Sequence, residues 1–186
     1  MSALRTNGRP IVLIGLMGSG KSTVGRELSR RTGLPFMDMD AVIEEQVGKC
    51  IPDIFREKGE AHFRALETAL LRYIENTVQS GAGAHIISTG GGVVLRAENR
   101  EILRRLGLCV LLNVDLPNLL ASTARAQNRP LLQVDDREAV LRQLLIERSP
   151  LYTQASHLRI NSSGMKAGEV VDSILRHAGK FFKRCR

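Results

Sequence analysis

Tryptophan is absent from this 186-residue chain and aromatic residues make up only 4% of it. A protein that stacks nucleic-acid bases on a series of exposed rings has little to build from here. Cysteine is sparse too: Cys50, Cys109 and Cys185 are widely spaced, odd in number and form no CxxC pair. Neither a disulfide framework nor a thiol zinc site is expected, and reduced thiols suit a cytoplasmic protein. No run approaches the roughly 20 apolar residues that span a bilayer, so membrane insertion is not expected. The apolar stretch Ile11 to Met17 runs directly into glycines and a lysine, not a cleavage site, which predicts no signal peptide. Internal repeats and low-complexity segments are missing as well.

What is present describes an ordinary globular domain. Hydrophobic residues make up 43% and charged residues 25%, enough apolar material for a packed core. The length suits a single domain spanning 1–186. Lys plus Arg exceed Asp plus Glu by 27 − 19 = +8, which points to anionic partners without choosing among nucleotides, nucleic acid and carboxylates.

Branched apolar segments predict parallel strands at Ile11 to Ile14, Pro35 to Asp38, His85 to Ser88 and Cys109 to Val114, with a weaker fifth at Leu158 to Asn161. Helical spacing covers Lys21 to Thr32, Glu60 to Val78, Arg96 to Leu106, Leu116 to Gln127, Arg137 to Arg148 and Gly168 to Phe182. The alternation of strand and helix predicts the α/β class, a parallel sheet covered on both faces. In the helix from Glu60, Phe63, Leu66, Leu70 and Ile74 form the apolar stripe, with Arg64, Glu67 and Arg72 off it.

The segment Gly15-Leu-Met-Gly18-Ser19-Gly20-Lys21-Ser22 matches G-x-x-x-x-G-K-[ST] after a hydrophobic strand and before a helix, the context that a phosphate loop needs. Its glycines let backbone N–H groups wrap phosphate oxygens at a helix N-terminus. Lys21 adds a full charge against the β- and γ-phosphates, and the Ser22 hydroxyl is placed for Mg²⁺. Such a loop establishes nucleotide binding but does not separate a kinase from a GTPase or a motor. The length leaves no room for a motor's added modules and no N-K-x-D guanine signature follows, so a compact kinase leads.

Other residues bear on the acceptor. Asp38 and Asp40 end the second strand two positions apart, on one face if the strand persists. Asp38 is a candidate Mg²⁺ ligand, direct or through water; Asp40 either accepts a hydrogen bond from an acceptor hydroxyl or caps a helix beginning near Ala41. Gly90, Gly91 and Gly92 follow the third strand and suit either a close approach of main chain to ligand or a flexible turn. Asp115, before Leu-Pro, reads as an N-cap, with a metal role as the alternative. Arg125, Arg129 and Arg148 are solvated charges by default. Arg129 lies before a polar stretch that suits a closing lid, from which an arginine would neutralise charge on a transferred phosphoryl group.

Taken together, Gly15 to Ser22, Asp38-Met-Asp40, Phe63-Arg64, Gly90 to Gly92, Arg129-Pro-Leu-Leu132 and Arg148-x-Pro-Leu-Tyr152 resemble the shikimate kinase family across roughly residues 10–160. The resemblance implies a three-layer P-loop kinase fold of the nucleoside-monophosphate-kinase type, with a five-stranded parallel sheet, a substrate-binding region near 38–70 and a mobile lid near 125–137. It implies ATP and shikimate as substrates, Mg²⁺ as cofactor, a monomer, and transfer to the 3-hydroxyl on the route to chorismate and the aromatic amino acids. Lys21, Asp40 and Arg129 would be catalytic. Gly18, Ser19, Gly20, Lys21, Ser22, Thr23, Arg125 and Arg129 would hold ATP, with Ser22 and Asp38 at the metal. Asp40, Arg64, Gly90, Gly91, Gly92 and Arg148 would hold shikimate, Arg64 and Arg148 through its carboxylate.

Two features lie outside that pattern. The segment Asn161 to Met165 lacks the arginine and proline that many family members place against adenine, and the basic end Lys180 to Arg186 reads as a solvated helix terminus. A kinase for another small acceptor such as gluconate is the nearest rival. A nucleic-acid-binding module is the rival from another class, disfavoured by the few aromatics and by the lack of a recognised nucleic-acid motif.

Overall fold

The structure is a computed structural model that describes residues 4, 6–81, 83–124 and 136–184. Five strands, β1 (Ile11–Ile14), β2 (Phe36–Asp38), β3 (Ile86–Ser88), β4 (Leu108–Asn113) and β5 (Leu158–Asn161), form one sheet in the order β2-β3-β1-β4-β5. Every pairing is parallel, with Val12 opposite Ile87 on one side and Cys109 on the other. The five expected strands are all present, within a residue at each end.

Alternation along the strands sends successive side chains into different halves of the core. Ile11 and Leu13 of β1 pack with Val24 and Leu28 of α1 (Lys21–Thr32) and with Val170, Ile174 and Phe182 of α7 (Ala167–Arg184). Val12 and Ile14 face the opposite layer, built from α2 (Met39–Val47), α3 (Ile51–Gln79), α4 (Ala97–Leu106), α5 (Leu116–Thr123) and α6 (Arg137–Ala155). Both faces of the sheet are thus covered, which is why β1 is apolar at every position rather than alternating.

Three departures from the sequence reading bear on the site. First, β2 does not persist through Asp40: α2 begins at Met39, with Asp38 as its N-cap accepting the Asp40 N–H. Asp40 is therefore inside the first turn, and the capping role read for it belongs to Asp38. Second, α3 contains a break at Gly59 (φ 79°), so the helix expected from Glu60 is preceded by an unexpected one over 51–58, opened by Pro52. Third, α6 continues through Pro150 to Ala155, beyond the expected end at Arg148. Proline removes one N–H, yet the flanking turns hold, and Arg148 and Tyr152 stay one turn apart on one face. Asp115 is the N-cap of α5, accepting from the Asn118 N–H at 3.0 Å.

Candidate active site

β1, β2 and β3 all deliver their functional residues at their carboxyl ends, where an open parallel sheet leaves its ligand crevice. Out of β1 comes the phosphate loop. Its last glycine, Gly20, has φ 83° and serves as N-cap of α1, a left-handed conformation that glycine adopts without steric cost. A Cβ on Gly18 (φ 82°) would stand 2.5 Å from the Ser122 hydroxyl of α5, so the loop also needs glycine for space. Lys21 is buried, and its Nζ donates to the carbonyls of Gly15 (2.8 Å) and Leu16 (2.9 Å).

Next to it, the Ser22 hydroxyl donates to Asp38 Oδ2 at 2.7 Å and lies 3.3 Å from the Ser88 hydroxyl at the end of β3. Asp38 thus does two jobs, holding Ser22 with one oxygen and capping α2 with the other. The cap orients Asp40 into a cleft of about 280 Å³ whose walls include Gly18, Lys21, Ser22, Thr23, Asp38, Asp40 and Gly91. Phosphate loop, both aspartates and part of the triglycine segment therefore meet in one space.

Arg64 and Arg148 converge on that triglycine segment from two helices. The Arg148 guanidinium is buried in α6 and donates through Nη1 to the Gly91 carbonyl at 3.2 Å, while its Nε is buried with no partner among the described residues. Arg64 in α3 is so close to Gly92 that a Cβ there would stand 2.3 Å from the guanidinium. At Gly90 a Cβ would stand 2.7 Å from both Asp40 Oδ1 and Glu67 Oε1. Gly90 and Gly92 provide room for the protein's own charged side chains, and Gly91 lies against the phosphate-loop backbone, in addition to any approach of main chain to ligand.

Glu67 is the residue that sequence reasoning passed over. Counted as off the apolar stripe with Arg64, it is 1% exposed, and Arg64 Nη1 donates to its Oε2 at 2.7 Å. Arg64 also binds Glu60 through Nε and Nη2, so the guanidinium is held from both ends. The signal was the i, i+3 spacing of Arg64 and Glu67 on the helix that carries Phe63-Arg64; burial is what a single sequence does not display.

Burial pushes the Glu67 carboxyl up from its ordinary 4.5 to about 6, against the pull of the Arg64 charge, with Asp40 adding to the rise. Between those two pH values the folded chain binds more protons than the unfolded one, so Glu67 makes stability fall as pH rises through the window. Glu67→Gln removes that titration. The difference in unfolding free energy between variant and parent should therefore shift by about 2 kcal/mol in favour of the variant from pH 4.5 to 7. Denaturant melts at several pH values measure it, and a difference that does not change with pH contradicts the assignment.

Arg125 and Arg129 lie outside the described residues, as does most of the expected lid. Beyond β5, Ser163 in the segment lacking the arginine and proline accepts the Asp115 N–H at 2.9 Å and ties that loop to the start of α5.

The shikimate kinase family model matches residues 17–178. The chain belongs to the shikimate kinase family. A shikimate kinase of Halorhodospira halophila is 43% identical over 94% of this chain and 96% of its own length. The solved shikimate kinase of Acinetobacter baumannii, in complex with shikimate, superposes with a TM-score of 0.85 at 40% identity, covering 91% of this chain and 92% of that one. A gluconokinase of Sinorhizobium meliloti, at 17% identity and a TM-score of 0.55, shares the fold alone, which leaves the gluconate alternative without support. The family places this chain among enzymes for ATP-dependent phosphorylation of shikimate, a kinase reaction at a hydroxyl group in aromatic amino acid biosynthesis.

Proposed function

We propose that the phosphoryl group goes to the 3-hydroxyl of shikimate, giving shikimate 3-phosphate and ADP. The observation that carries this reading is the single cleft with Lys21 and Ser22 on one wall and Asp40 and Gly91 on another. Phosphoryl transfer asks the protein mainly for alignment and for charge at the γ-phosphate, and both can be met in that space.

Each residue has a task in this reading. Backbone N–H groups of Gly18 to Ser22, with Thr23 beside them, hold the nucleotide phosphates, and Lys21 leaves its two carbonyl partners to meet the transferring group. Asp40 accepts the hydrogen bond of the acceptor hydroxyl and is the candidate base. Arg148 takes the acceptor carboxylate. Its buried Nε is a donor awaiting a partner, and a guanidinium fork matches a carboxylate. Arg64, with Glu60 and Glu67 fixing it, forms the opposite side of that grip beside Gly92. Arg125 beside adenine and Arg129 on a lid complete the reading from family likeness.

Magnesium fits the donors present. Ser22 Oγ and Asp38 Oδ2 are hard oxygens 2.7 Å apart, and no group of three or more His, Cys, Asp or Glu forms a protein cage among the described residues, as suits an ion shared with substrate phosphates. Held by Ser22 with Asp38 behind it, the ion would neutralise charge on the nucleotide phosphates. The reading also includes one domain with a substrate-binding region and a lid, acting as a monomer in the cytoplasm on small anions, apart from membranes and nucleic acid. No helix among the described residues is long and apolar enough to cross a membrane. The +8 charge then serves to draw two anionic substrates into one cleft.

Proton-coupled ³¹P spectroscopy of the product tests the position of transfer. Coupling of the new phosphate to the proton on carbon 3 is expected; coupling to the proton on carbon 4 or 5 overturns the proposal.

A further inference from the structure

The hydroxyl of Tyr152 donates to the Gly91 carbonyl at 2.5 Å, the same oxygen that accepts from Arg148 at 3.2 Å. Tyr152 is 3% exposed, and its side chain shares a cavity of about 100 Å³ with Leu16 and Ser19 of the phosphate loop. Gly91 in turn sits against that loop so closely that a Cβ on it would stand 3.2 Å from the Met17 nitrogen. One phenol therefore touches the segment that lines the acceptor site and packs beside the loop that lines the nucleotide site.

We propose that Tyr152 is a positioning residue for phosphoryl transfer: by holding the Gly91 carbonyl it sets the height of the acceptor loop against the phosphate loop. The inference rests on the reading of the acceptor site above and assigns a role to a residue outside the lining of the cleft. Two bonds to one carbonyl from residues a turn apart on α6 fix both its direction and its depth. If the phenol bond is lost, Arg148 remains the side-chain donor to that oxygen, and the guanidinium must choose between the loop and the acceptor carboxylate. Acceptor affinity and alignment both suffer, while the phosphate loop, with its own glycines and Lys21, keeps its nucleotide.

Tyr152→Phe keeps the ring and removes only the donor. The expected result is a KM for shikimate about tenfold higher and a kcat about tenfold lower, with nucleotide affinity in a direct titration changed by less than about twofold. Unchanged shikimate kinetics overturn the proposal. So does a parallel loss of nucleotide affinity and thermal stability, which marks a general packing role. If the parent chain itself shows no shikimate turnover, the acceptor reading falls, a result visible before any variant is made.

A second measurement avoids substitution. The chain has two tyrosines, and Tyr73 is 65% exposed, so 3-fluorotyrosine labelling gives two ¹⁹F signals with Tyr73 as reference. Saturating shikimate without nucleotide should move the Tyr152 signal and leave that of Tyr73 in place. A Tyr152 signal that stays still at saturation overturns the proposal.

Discussion

Lys21→Met lowers kcat about 10³-fold while the chain stays folded. Among the described residues lining the cleft, Lys21 is the one basic side chain, so in the proposed reaction its loss leaves charge developing on the transferring group without its nearest protein cation. Removing a single preorganised donor from such a site costs about 10²–10³ in turnover, and a full charge belongs at the upper end. Methionine matches the length and the apolar stem. The stability loss includes the donors removed from Gly15 and Leu16, about 1 kcal/mol for each hydrogen bond. Coupled ADP release with shikimate and ATP, paired with thermal melting, reads both quantities. Turnover within tenfold of the parent, in folded protein, would falsify the role given to Lys21.

Gly92→Ala lowers kcat/KM for shikimate by about 100-fold or more and leaves nucleotide affinity nearly unchanged. The added methyl would stand 2.3 Å from the Arg64 guanidinium, closer than any real contact. A flexible arginine on a surface would swing aside. Arg64 does not have that freedom, because Glu60 and Glu67 grip it from both ends and its side chain is 10% exposed. The clash therefore displaces the triglycine loop or the arginine, and both belong to the proposed acceptor grip, where about 1 Å of misplacement costs about 10² in rate. Gly179→Ala in α7 is the matched control, since a Cβ there meets nothing within 4 Å and alanine favours a helix by about 1 kcal/mol. Steady-state kinetics in both substrates decide it: equal losses for shikimate and ATP, or no loss, contradict the packing argument.

The sheet and the phosphate loop were legible in the sequence for a physical reason. A strand buried on both faces is continuously apolar, and a loop that wraps phosphate needs glycines, a lysine and a hydroxyl at fixed spacing. Asp115 was legible as a cap because a carboxylate before Leu-Pro has few other uses at a helix start. The errors cluster where one residue serves two neighbours. Asp38 and Asp40 look alike at the end of a strand, and only the observed start of α2 at Met39 shows that Asp38 caps while Asp40 points into the cleft. Glu67 looked like part of a solvated face because its partner Arg64 stands on the same helix, and both are covered by the triglycine segment arriving from β3. Tyr152 belonged to a recognised motif yet had no task until its hydroxyl was seen on Gly91.

The most direct test is the parent chain's own arm of the ADP-release assay, run with Mg²⁺ and ATP over shikimate, quinate, gluconate and related hydroxy acids. ADP release should saturate with shikimate, with kcat/KM for gluconate lower by at least about 10³-fold. Folded protein that binds ATP yet releases no more ADP with shikimate than without it would rule out shikimate as the acceptor.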